Sequence, residues 1–117
     1  MGFTKLVSQQ QGERIAEIAN DIIAERGFAP TLNFYLEEMV GEQYEYKTQS
    51  GLYFIFGFAN GDLGFDLYTN DGMDVVHSGT IEPLENDYVV DEDILIERDA
   101  KFIGGIIADF EGGLTEW

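Results

Sequence analysis

His77 is the only histidine of the chain and there is no cysteine, so most residues able to do chemistry are carboxylates. A transition-metal site needs more soft ligands than one imidazole, and a thiolate nucleophile is excluded. Ser78 follows His77 directly. Neighbours on a strand point to opposite faces, so the imidazole cannot activate that hydroxyl. Asn60-Gly61-Asp62 and Asn70-Asp71-Gly72-Met73-Asp74 share oxygen ligands with calcium loops, but neither has the alternating ligands and distant bidentate Glu that the ion needs. They read as hairpin turns. Asp91 and Asp93, with Glu97 beyond, would hold a hard cation only weakly. No Gly-rich loop opens a helix to cradle phosphate. With 23 acids in 117 residues, a carboxylate pair for glycosidic chemistry arises anywhere and signals nothing. No catalytic residue, cofactor or metal is nominated, and an enzyme is not expected.

Charge is the dominant feature. Twenty-three acids against six bases give −17. The balance is uneven: residues 1–58 hold eight acids and four bases (8 − 4, net −4), and residues 59–117 hold fifteen and two (15 − 2, net −13). Such a field repels nucleic acid and anionic membranes and attracts basic surfaces. Its reach is about one Debye length, roughly 8–10 Å at ordinary salt. Direct nucleic-acid binding is not expected on this ground. Solubility or high-salt adaptation is the plain explanation of the acidity, and only three lysines are present. The sharper one is that the acids imitate a phosphate backbone and occupy a partner's basic groove.

The elements that must position these groups begin with three strands over Leu52–Thr80. Leu52–Ala59, Leu63–Tyr68 and Met73–Ser78 are rich in aromatic and branched residues, and Asn60-Gly61 and Asn70-Asp71-Gly72 separate them as hairpin turns. Ser8–Arg26 reads as a helix capped by Ser8 and stopped by Gly27, with Ile15, Ala19, Ile22 and Ile23 on one face and Glu13, Glu17, Asp21 and Glu25 on another. Residues 31–40 fit two templates. Leu32, Tyr35, Leu36, Met39 and Val40 suit a short helix, while Leu32, Phe34 and Leu36 suit a strand; the helix takes more positions and is preferred. Tyr44 and Tyr46 alternate with Glu45 and Lys47 in an exposed first strand. Tyr88–Glu97 reads as a fifth, edge strand, with Glu92 as an inward charge against aggregation. Asp99 then caps a C-terminal helix carrying Phe102, Ile103, Ile106, Ile107 and Phe110, stopped by Gly112-Gly113. Gly104 and Gly105 weaken that helix by about 1 kcal/mol each. They imply close approach of the helix to the sheet or, with Ala108, to another chain.

The chain is long enough for one core, has no linker, and is expected to be a single domain, residues 1–117. The fold class is α+β: an antiparallel meander of about five strands, with an N-terminal and a C-terminal amphipathic helix packed on one face. No apolar run reaches the roughly 20 residues of a membrane span, and the N-terminal Met1–Val7 lacks a signal-peptide core. A cytoplasmic protein is expected.

Leu52, Phe54, Phe56 and Phe58, with Leu63, Phe65 and Leu67, form the face under the helices. Tyr53, Ile55, Gly57, Gly64, Asp66 and Tyr68 point the other way, joined by Tyr44 or Tyr46. Tyrosine gives rigid amphipathic contact area of the kind concentrated at interfaces. The residues nominated for partner binding are Tyr53, Asp62, Asp66, Tyr68, Asp71, Asp74, Asp91 and Asp93. The partner expected is a basic protein surface, that of a nucleic-acid-binding protein. The order of helix, short helix and acidic sheet, with the segment Leu36-Glu37-Glu38-Met39-Val40, loosely resembles the phage uracil-DNA-glycosylase inhibitors and other acidic DNA-mimic or immunity proteins. The helix from Asp99 has no counterpart in that inhibitor family, and no residue role is carried over. The resemblance implies a DNA-mimic inhibitor of the phage anti-defence or immunity type. The alternative is a structural or assembly-chaperone protein that forms a homodimer, its acidity serving solubility.

Overall fold

The computed structural model describes residues 9–37, 41–59, 62–69, 71–80 and 92–113. The elements in chain order are α1 (Gln9–Glu25), β1 (Asn33–Glu37), β2 (Gly41–Lys47), β3 (Tyr53–Ala59), β4 (Asp62–Tyr68), β5 (Val75–Thr80) and α2 (Glu92–Glu111). The five strands form one antiparallel sheet in sequence order, and the two helices cover one side of it. The α+β meander expected from the sequence is therefore the fold.

Helix α1 buries Gly12, Ile15, Ala16, Ala19 and Ile23 and exposes its acids. It ends where Gly27 adopts φ 90°: Phe28 N–H donates to Ile23 O at 3.1 Å and Gly27 N–H to Ala24 O at 3.0 Å, the double bond of a Schellman cap. In α2, Ala100, Ile103 and Ile107 are fully buried, with Ile96 and Phe110 packed beside them. Phe110 meets Phe54 edge-on at 5.4 Å and Phe102 meets Phe56 at 6.2 Å, which docks the helix on β3. The helices also cross each other. A Cβ at Gly104 would lie 3.0 Å from Ile22 Cβ and 3.1 Å from Ala19 O, so Gly104 serves close approach to α1 rather than to the sheet.

Turn chemistry sets the register. Ala59 pairs with Asp62, which closes the β3–β4 hairpin. Between β4 and β5, Asp71 accepts bonds from Thr69 Oγ1 at 2.6 Å and from Met73 N–H at 2.9 Å, and Gly72 has φ 72°. The pairing then slips at Leu67/Tyr68: Leu67 opposes His77, but Tyr68 opposes Val75.

Three expectations are overturned. Residues 33–37 are strand β1, not helix; residues 38–40 lie outside the described residues. The strand prevails because β2 supplies its hydrogen bonds. Asn20 fixes the entry: its Nδ2 donates to Leu32 O at 3.0 Å and Leu32 N–H donates to its Oδ1 at 2.9 Å. Phe34 then lies over Gly12, where any Cβ would overlap its ring. The supposed edge strand 88–97 fails too. Residues 92–97 are the first turns of α2, because Ile96, Ala100, Ile103 and Ile107 continue one helical stripe; residues 88–91 are outside the description. Asp99 is consequently no cap. It lies within α2, 3% exposed, with Arg98 Nη2 at 3.0 Å. Finally, Tyr44 and Tyr46 belong to an interior strand and point into the core, at 0% and 1% exposure.

Candidate partner-binding face

The strand register places side chains on the uncovered face in rows. One row runs Asn33, Glu45, Ile55, Asp66, Ser78. On one side of it lies Lys47, Tyr53, Tyr68, Val75, and on the other Tyr35, Gln43, Gly57, Gly64, Thr80. Neighbours within a row are about 4.8 Å apart, and rows are about 7 Å apart. No element among the described residues lies over these rows. The opposite rows, including Phe54, Phe56, Leu63, Phe65 and Leu67, are the buried core.

Of the nominated residues, Tyr53, Asp66 and Tyr68 share this face. Tyr68 Oη donates to Asp66 Oδ2 at 3.4 Å; partial burial, then the Asp66 charge and bond, hold the phenol above its ordinary range. Asp71 and Asp74 sit at the border, on the turn whose Gly72 lines a hollow with Tyr53, Ile55 and Tyr68. The bonds from Thr69 and Met73 hold the Asp71 carboxyl below its usual range. Asp62 heads β4 opposite Ala59, and its side chain lies outside the description, as does all of Asp91. Asp93 is exposed in the first turn of α2, so the supposed Asp91/Asp93 pair on a strand face does not exist.

The structure adds Glu45, which flanks Ile55 across from Asp66. Its place was hidden because the alternation in β2 had been assigned the opposite phase. Glu45 and Asp66 thus stand on the face and Asp71 and Asp74 on the turn at its border, against one base there among the described residues, Lys47. The Lys47 ammonium lies 5.7 Å from the Tyr53 ring centroid, so one cation already rests on an aromatic of this surface. Arg14, Arg26, Arg98 and Lys101 are engaged elsewhere, with Glu17, Asp109, Asp99 and Glu97.

His77 lies opposite Leu67 and Ser78 opposite Asp66, on different faces of β5. Among the described residues there is no group of three or more His, Asp or Glu placed to hold a metal ion, and no helix long and apolar enough to cross a membrane. No family model, curated protein or solved structure matches the chain. The short second helix in the resemblance to the uracil-DNA-glycosylase inhibitors is strand β1.

Proposed function

We propose that this protein is a small acidic binding protein that docks on the basic surface of a nucleic-acid-handling protein and blocks it, acting as a DNA-mimic inhibitor. The observation that carries this reading is the uncovered sheet face, where Tyr53, Tyr68 and Ile55 lie beside Glu45 and Asp66, with Asp71 and Asp74 on the turn at its border. Net charge of −17 draws a cationic partner in, and the tyrosines supply contact area once it arrives.

The test is competition for core histones against duplex DNA. The protein displaces DNA, steeply less as salt rises, and the double variant Tyr53→Ala/Tyr68→Ala displaces it poorly. A triple variant Glu13→Gln/Glu17→Gln/Asp21→Asn, neutralised on α1, retains most of the effect. If the α1 variant loses more than the tyrosine variant, the sheet face is not the contact.

A second reading, self-association, is favoured by one observation. Met73 (79% exposed), Val75 and Val76 lie open at β5, the last strand of the sheet. Salt separates the two readings: screening weakens a cationic complex but relieves repulsion between two copies of a −17 chain, so light scattering at high salt would show a dimer.

A further inference from the structure

An open groove of about 640 Å³ on the uncovered face runs over Gly57 and Gly64. These two glycines are register partners at the centre of β3 and β4. Glycine inside a strand weakens it relative to Ala and often marks close approach of another group. At Gly64 the reason is internal, since a Cβ there would meet Gly79 O at 3.0 Å. At Gly57, among the described residues, a Cβ would meet only Glu42 O at 3.6 Å, an ordinary contact. The bare backbone at Gly57 leaves this part of the groove floor open to a group from outside.

The groove walls say what that is. Asp66 provides a carboxylate, and Ser78 and Thr80 carry hydroxyls and Gln43 an amide, each able to accept a hydrogen bond as well as donate one. Ile55 and Tyr68 provide apolar surface. Gln43 and Thr80 stand three strand spacings apart, about 14 Å, with only glycines between them. A flat group fits that floor. The lining is rich in acceptors and carries a negative charge, so it suits a cation with many donors and repels an anion. A guanidinium has five N–H groups in a planar fork, can engage Asp66 through two of them, and can lie flat against bare peptide planes and the Tyr68 ring. An ammonium has three donors and no flat face, and it uses the groove less fully.

We infer that this groove is an arginine subsite, taking the guanidinium of an arginine side chain presented by the partner. The inference rests on the proposed use of the sheet face and specifies what that face reads.

Three capped pentapeptides, Gly-Gly-X-Gly-Gly with X arginine, lysine or citrulline, are titrated into the full-length isotope-labelled chain. The arginine peptide shifts the amides of Gly57, Gly64 and Asp66 saturably, the lysine peptide binds roughly tenfold more weakly, and the citrulline peptide leaves them unmoved. Gly57→Val fills the floor while keeping the melting temperature at or above that of the parent, and weakens the arginine peptide by at least about tenfold. Asp66→Asn does so to a similar degree. Undiminished binding by Gly57→Val overturns the proposal, as does equal binding of lysine and arginine. In the latter case, shifts still centred on this face leave the cationic-partner reading standing. Failure of all three peptides to move the face, together with histone competition insensitive to Tyr53 and Tyr68, removes both.

Discussion

Gly104 and Gly105 are neighbours in the middle of α2, and the structure assigns them opposite responses to one added methyl. Both sit in helix interior, where Ala is favoured over Gly by about 1 kcal/mol. A Cβ at Gly105 meets nothing within 4 Å, so Gly105→Ala gains that full amount. For a domain of this size the gain raises Tm by roughly 3–6 °C. A Cβ at Gly104 would press on Ile22 Cβ and Cγ2 and on the Ala19 carbonyl at 3.0–3.1 Å, atoms of α1 that cannot swing aside. Overpacking of this kind costs about 1–3 kcal/mol. Set against the same propensity gain, Gly104→Ala is neutral to about 2 kcal/mol destabilising. Chemical denaturation of the two variants, with equal m-values, should separate their stabilities by about 1–3 kcal/mol. Because the helix and the substitution are the same, propensity cancels and the difference reports the α1–α2 crossing alone. If Gly104→Ala is as stabilising as Gly105→Ala, the helices do not meet there.

Asn20→Ala removes both bonds to the Leu32 backbone and should cost about 1–3 kcal/mol in denaturant titration, freeing the entry to β1; an unchanged midpoint would show the clamp idle. The Asp71 carboxyl is held below its ordinary range, so its turn contributes stability at neutral pH that is lost as pH falls through the folded-state pKa, below about 4. Melting curves of Asp71→Asn should therefore lie below the parent at neutral pH and converge with it in acid. Burial, with Glu111 beside it, pushes the Tyr46 phenol up to about 12. Its neutral form thus contributes stability that is complete below about pH 10 and fades between there and 12, and Tyr46→Phe should flatten that alkaline loss, followed by circular dichroism. The Tyr44 hydroxyl is fully buried with no hydrogen-bond partner among the described residues, so Tyr44→Phe should stabilise by about 1–3 kcal/mol; a lower midpoint would show that the hydroxyl is bonded.

What the sequence disclosed followed locality. Gly51 and Asp71-Gly72 specify their turns by their own backbone and side-chain chemistry, so the three central strands and the alternation of Phe54, Phe56, Phe65 and Leu67 were legible. Gly27 and Gly112-Gly113 stop the helices for the same reason. Residues 33–37 were not legible, because what makes them a strand is pairing with β2 and a bare spot on α1 at Gly12. Residues 92–97 were misread because Ile94 and Ile96 alternate, while the burial of Ala100 that extends the helical stripe is decided by α1. The site suffered from a phase error. Period-two alternation in β2 says that Tyr44 and Tyr46 share a face but not which one. Taking the tyrosines outward concealed Glu45, the one carboxylate besides Asp66 that flanks Ile55.

The placement of the acids bears on how far phosphate imitation can go. Glu13, Glu17, Asp21 and Glu25 recur every four residues along α1, all exposed, at an axial rise of about 6 Å per step. That spacing suits a phosphate ladder, but each step also turns about 40° beyond a full turn. Over three steps the row swings through roughly 120° and leaves any single surface. Arg14 also offsets Glu17 at 3.4 Å. The sheet does the reverse: it holds fewer charges but fixes Glu45, Ile55 and Asp66 in one pleated row beside Tyr53 and Tyr68. A winding row of flexible glutamates attracts any cation, whereas a rigid row with aromatic neighbours can select one. In the proposed complex, long-range attraction belongs to the chain as a whole, and discrimination to the sheet. This division is why neutralising α1 should slow association while leaving the bound lifetime largely intact, and why truncating Tyr53 and Tyr68 should shorten that lifetime at nearly unchanged association rate.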